Sequence, residues 1–188
     1  MLASTSPRRR ELLREAGFAF SVVAPDVDET AFAIESPESL TVRLAFAKAR
    51  AALPKVSGDA CVLGADTVVV IDGELLGKPR DPAEAAEMLL RLAGRTHRVL
   101  TGFALLVPAL RFEESGVVES AVRMHPIDRV TAERYAATGE PLDKAGGYAA
   151  QGEAARFIAE IVGSRANVIG LPIETVTPIL AKLEVERA

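Results

Sequence analysis

Apolar positions along the chain follow two spacings in turn. Leu12, Leu13 and Ala16 recur at the three- and four-residue intervals of a helix face. Ser6 is placed to cap that helix, Pro7 suits its first position and Gly17 closes it. Ahead of it Leu2-Ala3 predicts a very short strand. "FSVVAP" (20–25) predicts a second strand and "DVDET" (26–30) an acidic loop. "SPESLTVRLAFAKARAAL" (36–53) predicts a long helix capped at Ser36 or Ser39, with Leu40, Leu44, Ala47 and Ala51 as its apolar face. "ACVLGADTVVVIDGELL" (60–76) then predicts two short strands turning at Asp72-Gly73, a hairpin signal.

The second half continues the alternation. "DPAEAAEMLLRLAG" (81–94) has Asp81 as cap, Pro82 next, Glu84 to complete a capping box and Gly94 as terminator. "HRVLTGFALLV" (97–107) and "GVVESAVRMHPI" (116–127) predict strands, and "TAERYAAT" (131–138) a helix ending near Gly139. "GEPLDKAGGYAAQGEAARF" (139–157) has no periodicity, and loops of that length in a compact domain are often functional. "RFIAEIVG" (156–163) predicts a strand and "LPIETVTPILAKLE" (171–184) a last helix, in which Pro178 is expected to cause a kink or break. The order predicts an α/β fold, a mixed twisted sheet flanked by helices.

Composition narrows the function classes. With 188 residues, 49% hydrophobic and 26% charged, the chain reads as one ordinary globular domain. A net charge of −4 argues against a duplex nucleic-acid partner. The single cysteine, Cys61, rules out an internal disulfide and fits a reducing, cytoplasmic compartment; it reads as a buried structural thiol. No apolar run reaches the roughly 18 residues that span a bilayer, and the start lacks the apolar core of a secretory signal.

Four stretches carry candidate chemistry. "STSPRRR" (4–10) stacks Arg8, Arg9 and Arg10 on the positive end of a helix dipole. A bound phosphate would resolve that conflict, held by free N–H groups, the Ser4 and Ser6 hydroxyls and the guanidinium forks; a solvated basic face paired with Glu11 and Glu15 is the alternative. "GADTVVV" puts the Asp66 carboxylate inside an apolar strand, which is costly unless it is paired or metal-bound. Asp26, Asp28 and Glu29 are its candidate companions around Mg²⁺, or else merely a polar loop. "GELLGKPRD" (73–81) fails as a P-loop, with three residues rather than four between Gly73 and Gly77 and Pro79 after Lys78. Lys78 can still act as a fixed point charge. Against 17 arginines there are five lysines, and Lys48, Lys78 and Lys144 all fall in these stretches. His97 and His125 lack metal-ligand spacing, and His97 reads as structural.

Taken together, "LASTSPRRRELL", "PDVDET", "LAFAKA", "LGADTVV", "GKPRD", "HRVLTG", "GEPLDKAGGYAAQG" and "NVIGLP", in this order and spacing, resemble the Maf family of nucleotide pyrophosphatases over nearly the whole chain. The resemblance implies a single domain over 1–188 with two lobes around a cleft, similar to inosine-triphosphate pyrophosphatases, and a homodimer. It implies hydrolysis of a nucleoside triphosphate to monophosphate and pyrophosphate with a divalent metal, Mg²⁺ or Mn²⁺. Asp66 matches the family's catalytic carboxylate, as proton acceptor or metal ligand; Glu29 and Lys78 join it, with Glu29 as second metal ligand. Ser4, Arg9, Lys48 and Gln151 match substrate-binding positions. Arg8, Thr67 and Gln151 resemble the subgroup acting on dTTP and UTP; the 7-methyl-GTP subgroup tends to an aromatic residue, Gln and Glu there. The family is also linked to septum formation and cell-division arrest. A nucleotide-binding regulator, or a pyrophosphatase for modified nucleotides, is therefore the alternative expectation.

Overall fold

Side-chain caps start four of the helices in the computed structural model, which describes residues 1–32, 35–56, 58 and 60–185. Ser6 accepts from the Arg9 N–H to open α1 (Pro7–Glu15), and Ser36 accepts from Ser39 to open α2 (Pro37–Ala52). Asp81 opens α3 (Pro82–Leu92) and Asp128 opens α4 (Arg129–Ala136) in the same way. Two further helices follow, α5 (Arg165–Ile169) and α6 (Ile173–Lys182). The strands are β1 (Leu2–Ala3), β2 (Val22–Val23), β3 (Val62–Ile71), β4 (Glu74–Leu76), β5 (Thr96–Val107), β6 (Phe112–Met124) and β7 (Ile158–Val162).

They form one mixed seven-stranded sheet in the order β2-β1-β3-β5-β6-β7, with β4 paired to β3. β1 runs parallel to both neighbours, Leu2 opposite Val22 and Leu63, and Ala3 opposite Gly64. β4 turns back antiparallel on β3 through Asp72 and Gly73, both at positive φ, as the hairpin signal required. β7 is antiparallel to β6.

The chain divides into two compact units: Met1–Asp66, Thr101–Val118 and Gly170–Ala188 in the first, Thr67–Leu100 and Glu119–Ile169 in the second. In the first, α2 lies directly on the sheet because two glycines admit it. A Cβ on Gly64 would stand 2.2 Å from the Ala45 carbonyl oxygen, and one on Gly102 2.3 Å from the Thr41 carbonyl carbon. Ala3, Ala45, Ala49, Ala52, Val62, Ala104 and Leu106 fill this contact. In the second unit α3 packs on α4, burying Leu89 and Leu92 of one and Ala132 and Tyr135 of the other. The stretch 139–157 winds into three short 3-10 turns, Glu140–Asp143, Ala145–Gly147 and Glu153–Phe157.

Several expectations are corrected. The buried face of α2 is Leu40, Thr41, Leu44, Ala45, Lys48, Ala49 and Ala52; Ala47 and Ala51 are only half-buried. Hydropathy cannot register a helix face whose neighbours are glycines, because close backbone approach selects small residues rather than greasy ones. β3 is one ten-residue strand rather than a short one, and β2 keeps two residues of the expected six. Only half of the α3 capping box forms, since Glu84 accepts from the Arg80 N–H instead of from Asp81. α6 runs through Pro178 without ending, held by burial of Val176, Ile179 and Leu180. α5 has no counterpart in the sequence reading. Among the described residues no helix is long and apolar enough to cross a membrane.

Candidate active site

In a strand, residues two apart share a face. Gly64 faces α2, so Asp66 projects the same way, and Lys48 lies on the α2 face that meets it. Its ammonium donates to Asp66 Oδ1 at 2.6 Å and pairs with Glu29 Oε1 at 2.6 Å. The Lys48 and Asp66 side chains are 8% and 10% exposed, whereas Glu29 is 46% exposed. Two carboxylates thus converge on one buried cation, the Asp66 one deep and the other at the surface. Of the three acidic residues of "DVDET", Glu29 is the one on Lys48; the Asp28 carboxylate accepts from the Thr30 N–H and shapes its own loop.

The loop is held by a group the sequence reading missed. Arg43, on α2, binds Glu35 through its Nε and Nη2 at 2.7 and 2.8 Å and donates from Nη2 to the Thr30 carbonyl at 3.0 Å. Its guanidinium also lies 4.3 Å from the Phe32 ring centre. No local pattern marks Arg43, because its partners lie across the turn into α2.

The start of α1 contributes the cations. The Ser4 hydroxyl accepts from the Ser6 N–H at 3.2 Å and from Arg9 Nη1 at 3.4 Å; Arg9 Nε donates to the Gly170 carbonyl at 2.7 Å. Burial pulls the Arg9 guanidinium below its ordinary pKa and Arg8 adds to this, while Asp66 and Glu29 oppose both. Arg8 is half-buried beside it, and α1 has no acidic residue in its first turn. Ser4, Arg8, Arg9, Glu29, Lys48 and Asp66 all belong to the first unit.

Thr67, Lys78 and Gln151 belong to the second. Thr67 shares a β3 face with Val69, which packs under the Gly146 α-carbon, and the Gly146 N–H donates to the Gly77 carbonyl at 3.0 Å. Strand, Lys78 loop and Gln151 loop are therefore tied at one glycine. Lys78 is exposed and lines an open groove of about 520 Å³ with Arg80, Arg91, Glu84 and Glu87. Lys144 is bound to its own loop, through the Glu140 carbonyl and Asp143.

The remaining candidates are structural. His97 is buried, bonded through Nε2 to the Tyr148 hydroxyl at 2.7 Å, and burial lowers its pKa to about 4. Cys61 is half-buried rather than buried, and burial raises its thiol pKa, the wrong direction for a nucleophile. Among the described residues no group of three or more His, Cys, Asp or Glu is placed to hold a metal ion. The pair Asp66 and Glu29 nevertheless suits a hard cation, which commonly takes one or two carboxylates and completes its shell with water and substrate phosphate.

The chain is 52% identical to a dTTP/UTP pyrophosphatase of Symbiobacterium thermophilum over 97% of its length and 92% of the relative's. It is 47% identical to one of Alkalilimnicola ehrlichii over 98% and 93%, and 48% identical to one of Myxococcus xanthus over 97% and 91%. Residues 1–183 match the family described as Maf-like protein, so this chain is a member of the Maf family.

Proposed function

We propose that the protein hydrolyses nucleoside triphosphates, dTTP and UTP before others, to the monophosphate and pyrophosphate. The observation that carries the reading is the buried Asp66 carboxylate, joined to Glu29 through the single Lys48 ammonium in a chain whose relatives are named for that activity. A water oxygen bonds to the α-phosphorus while the bond to the departing pyrophosphate breaks, and charge builds on the phosphoryl oxygens. Asp66 orients that water and takes its proton. Lys48 holds Asp66 and Glu29 in position. Arg9 and Lys78 meet the phosphates, and Ser4 fixes the Arg9 fork.

Asp66 and Glu29 would hold a divalent cation, Mg²⁺ or Mn²⁺, which when bound supplies charge neutralisation for the triphosphate. Arg8, Thr67 and Gln151 select the base. A Gln amide offers the donor and acceptor that a neutral pyrimidine imide can pair with, and Arg8 would repel the cationic ring of 7-methyl-guanine. The reading places a homodimer in the cytoplasm, with no nucleic-acid or membrane partner.

Pyrophosphate release from dTTP, UTP, 7-methyl-GTP and ATP, measured side by side, tests it. The highest kcat/KM is expected for dTTP and UTP, abolished by a chelator and restored by Mg²⁺ or Mn²⁺. Equal or reversed preference would defeat the base assignment alone. Full turnover in metal-free buffer would remove the cation. Nucleotide binding without any pyrophosphate release would leave a sensor rather than an enzyme.

A further inference from the structure

Gln151 lies in a loop whose two flanks are tied to one carboxylate. Glu140 Oε2 accepts directly from the Glu153 N–H at 3.2 Å, two residues after Gln151. Glu140 Oε1 accepts from the Tyr135 hydroxyl at 3.0 Å, and that hydroxyl accepts in turn from the Ala149 N–H at 3.3 Å, two residues before it. Between these ties, Gly152 has φ +82°, and a Cβ there would stand 3.0 and 3.1 Å from the Glu140 carboxylate oxygens. The carboxylate therefore lies against the Gly152 α-carbon, with room for no side chain. Tyr135 is a fixed post: it is 1% exposed on α4, and its ring packs edge-on against Phe157. Burial, and Glu140 after it, hold its hydroxyl above the ordinary tyrosine range, so it stays protonated and able to donate. Arg165 binds the Ala150 carbonyl at 3.0 Å and His97 the Tyr148 hydroxyl, so positions 148, 149, 150 and 153 are each held. None of these bonds uses the Gln151 side chain.

We infer that Glu140 is a positioning residue for Gln151, setting base discrimination by holding the residues on either side of it; the inference rests on the reading of Gln151 as a base-contacting side chain. An amide that recognises an imide by paired hydrogen bonds discriminates only if its backbone is fixed. Both ties to Glu140 are donors aimed at it, so both carboxylate oxygens must accept. Glu140→Gln keeps the shape but replaces one acceptor by an NH₂ group, which the Glu153 N–H cannot accept and which the Tyr135 hydroxyl can meet only by giving up its own donation. Tyr135→Phe removes the post's hydroxyl and with it the hold on Ala149.

The test is the ratio of kcat/KM for dTTP over ATP, with thermal melting as the check on folding. Glu140→Gln and Tyr135→Phe are each expected to lower the ratio by about tenfold or more, the size of effect that unpaired polar groups in a specificity site produce. In a Gln151→Ala background the same two substitutions are expected to leave the ratio unchanged. An unchanged ratio in both folded single variants overturns the inference, as does an equal drop in the Gln151→Ala background. If Glu140→Gln does not fold, Tyr135→Phe decides alone. If Gln151→Ala by itself leaves the ratio at the wild-type value, Gln151 does not read the base, and the inference falls with that reading rather than by itself.

Discussion

At the scale of single residues the central fact is one ammonium serving two carboxylates. Lys48 is a buried cation, and such a group persists only when paired. Asp66 was legible in the sequence because a carboxylate inside an apolar strand needs an explanation. Lys48 was named too, as a substrate-binding candidate, but its pairing with Asp66 was not legible, since Lys48 precedes it by 18 residues on a different element. Arg43 and Glu140 escaped for the same reason: each acts through bonds to loops, and no spacing encodes them. Asp66→Asn keeps an acceptor oxygen for Lys48 and removes the charge and the base. Turnover is expected to fall by about 10²–10⁴-fold, the usual cost of losing a general base, while the thermal transition is retained. Pyrophosphate release per folded molecule checks it, and wild-type turnover would take Asp66 out of the reaction.

At the scale of elements, the approach of α2 to β3 and β5 puts Lys48 within reach of Asp66, and two glycines make that approach possible. A Cβ on Gly102 would meet backbone atoms of Thr41 and Val42 at 2.3 to 2.6 Å, which cannot turn aside. One on Gly116 would meet the tip of the Phe103 ring at 2.9 Å, which can. Gly102→Ala is therefore expected to destabilise the chain by about 1–3 kcal/mol or more, the usual range for overpacking, and Gly116→Ala by clearly less. Urea midpoints for the two variants check the order, and the reverse order would mean that α2 does not rest on Gly102. Element types were largely readable from periodicity and caps. The orientation of α2 was not, because apolar spacing reports hydrophobicity whereas this interface selects for smallness.

At the scale of the whole molecule, His97 links stability to pH. Folded, it remains neutral down to about pH 4; unfolded, it protonates near 6.5. Above 6.5 it is neutral in both states and contributes no pH dependence. Between 6.5 and about 4 the unfolded chain binds the extra proton, so stability falls as pH falls. The loss is on the order of 3 kcal/mol, since each tenfold difference in proton affinity between the two states is worth about 1.4 kcal/mol. His97→Gln is expected to flatten this part of the stability profile, seen as a smaller drop in unfolding free energy across the same window. An equal drop in the variant would show that other groups carry the acid limb.

The sequence by itself determined the family, the α/β class and most residues proposed for the reaction, because these depend on local signals: caps, periodicity, and motifs whose order along the chain is itself specific. Only the tertiary structure decided which groups act on which. It brought Glu29 rather than Asp28 to Lys48, set Arg43 to hold the acidic loop, and tied both flanks of Gln151 to Glu140, one directly and the other through Tyr135. Each is a bond between positions that chain spacing leaves unrelated. Its existence depends on how closely two elements approach, a property of side-chain volume and backbone contact that no single stretch of sequence contains.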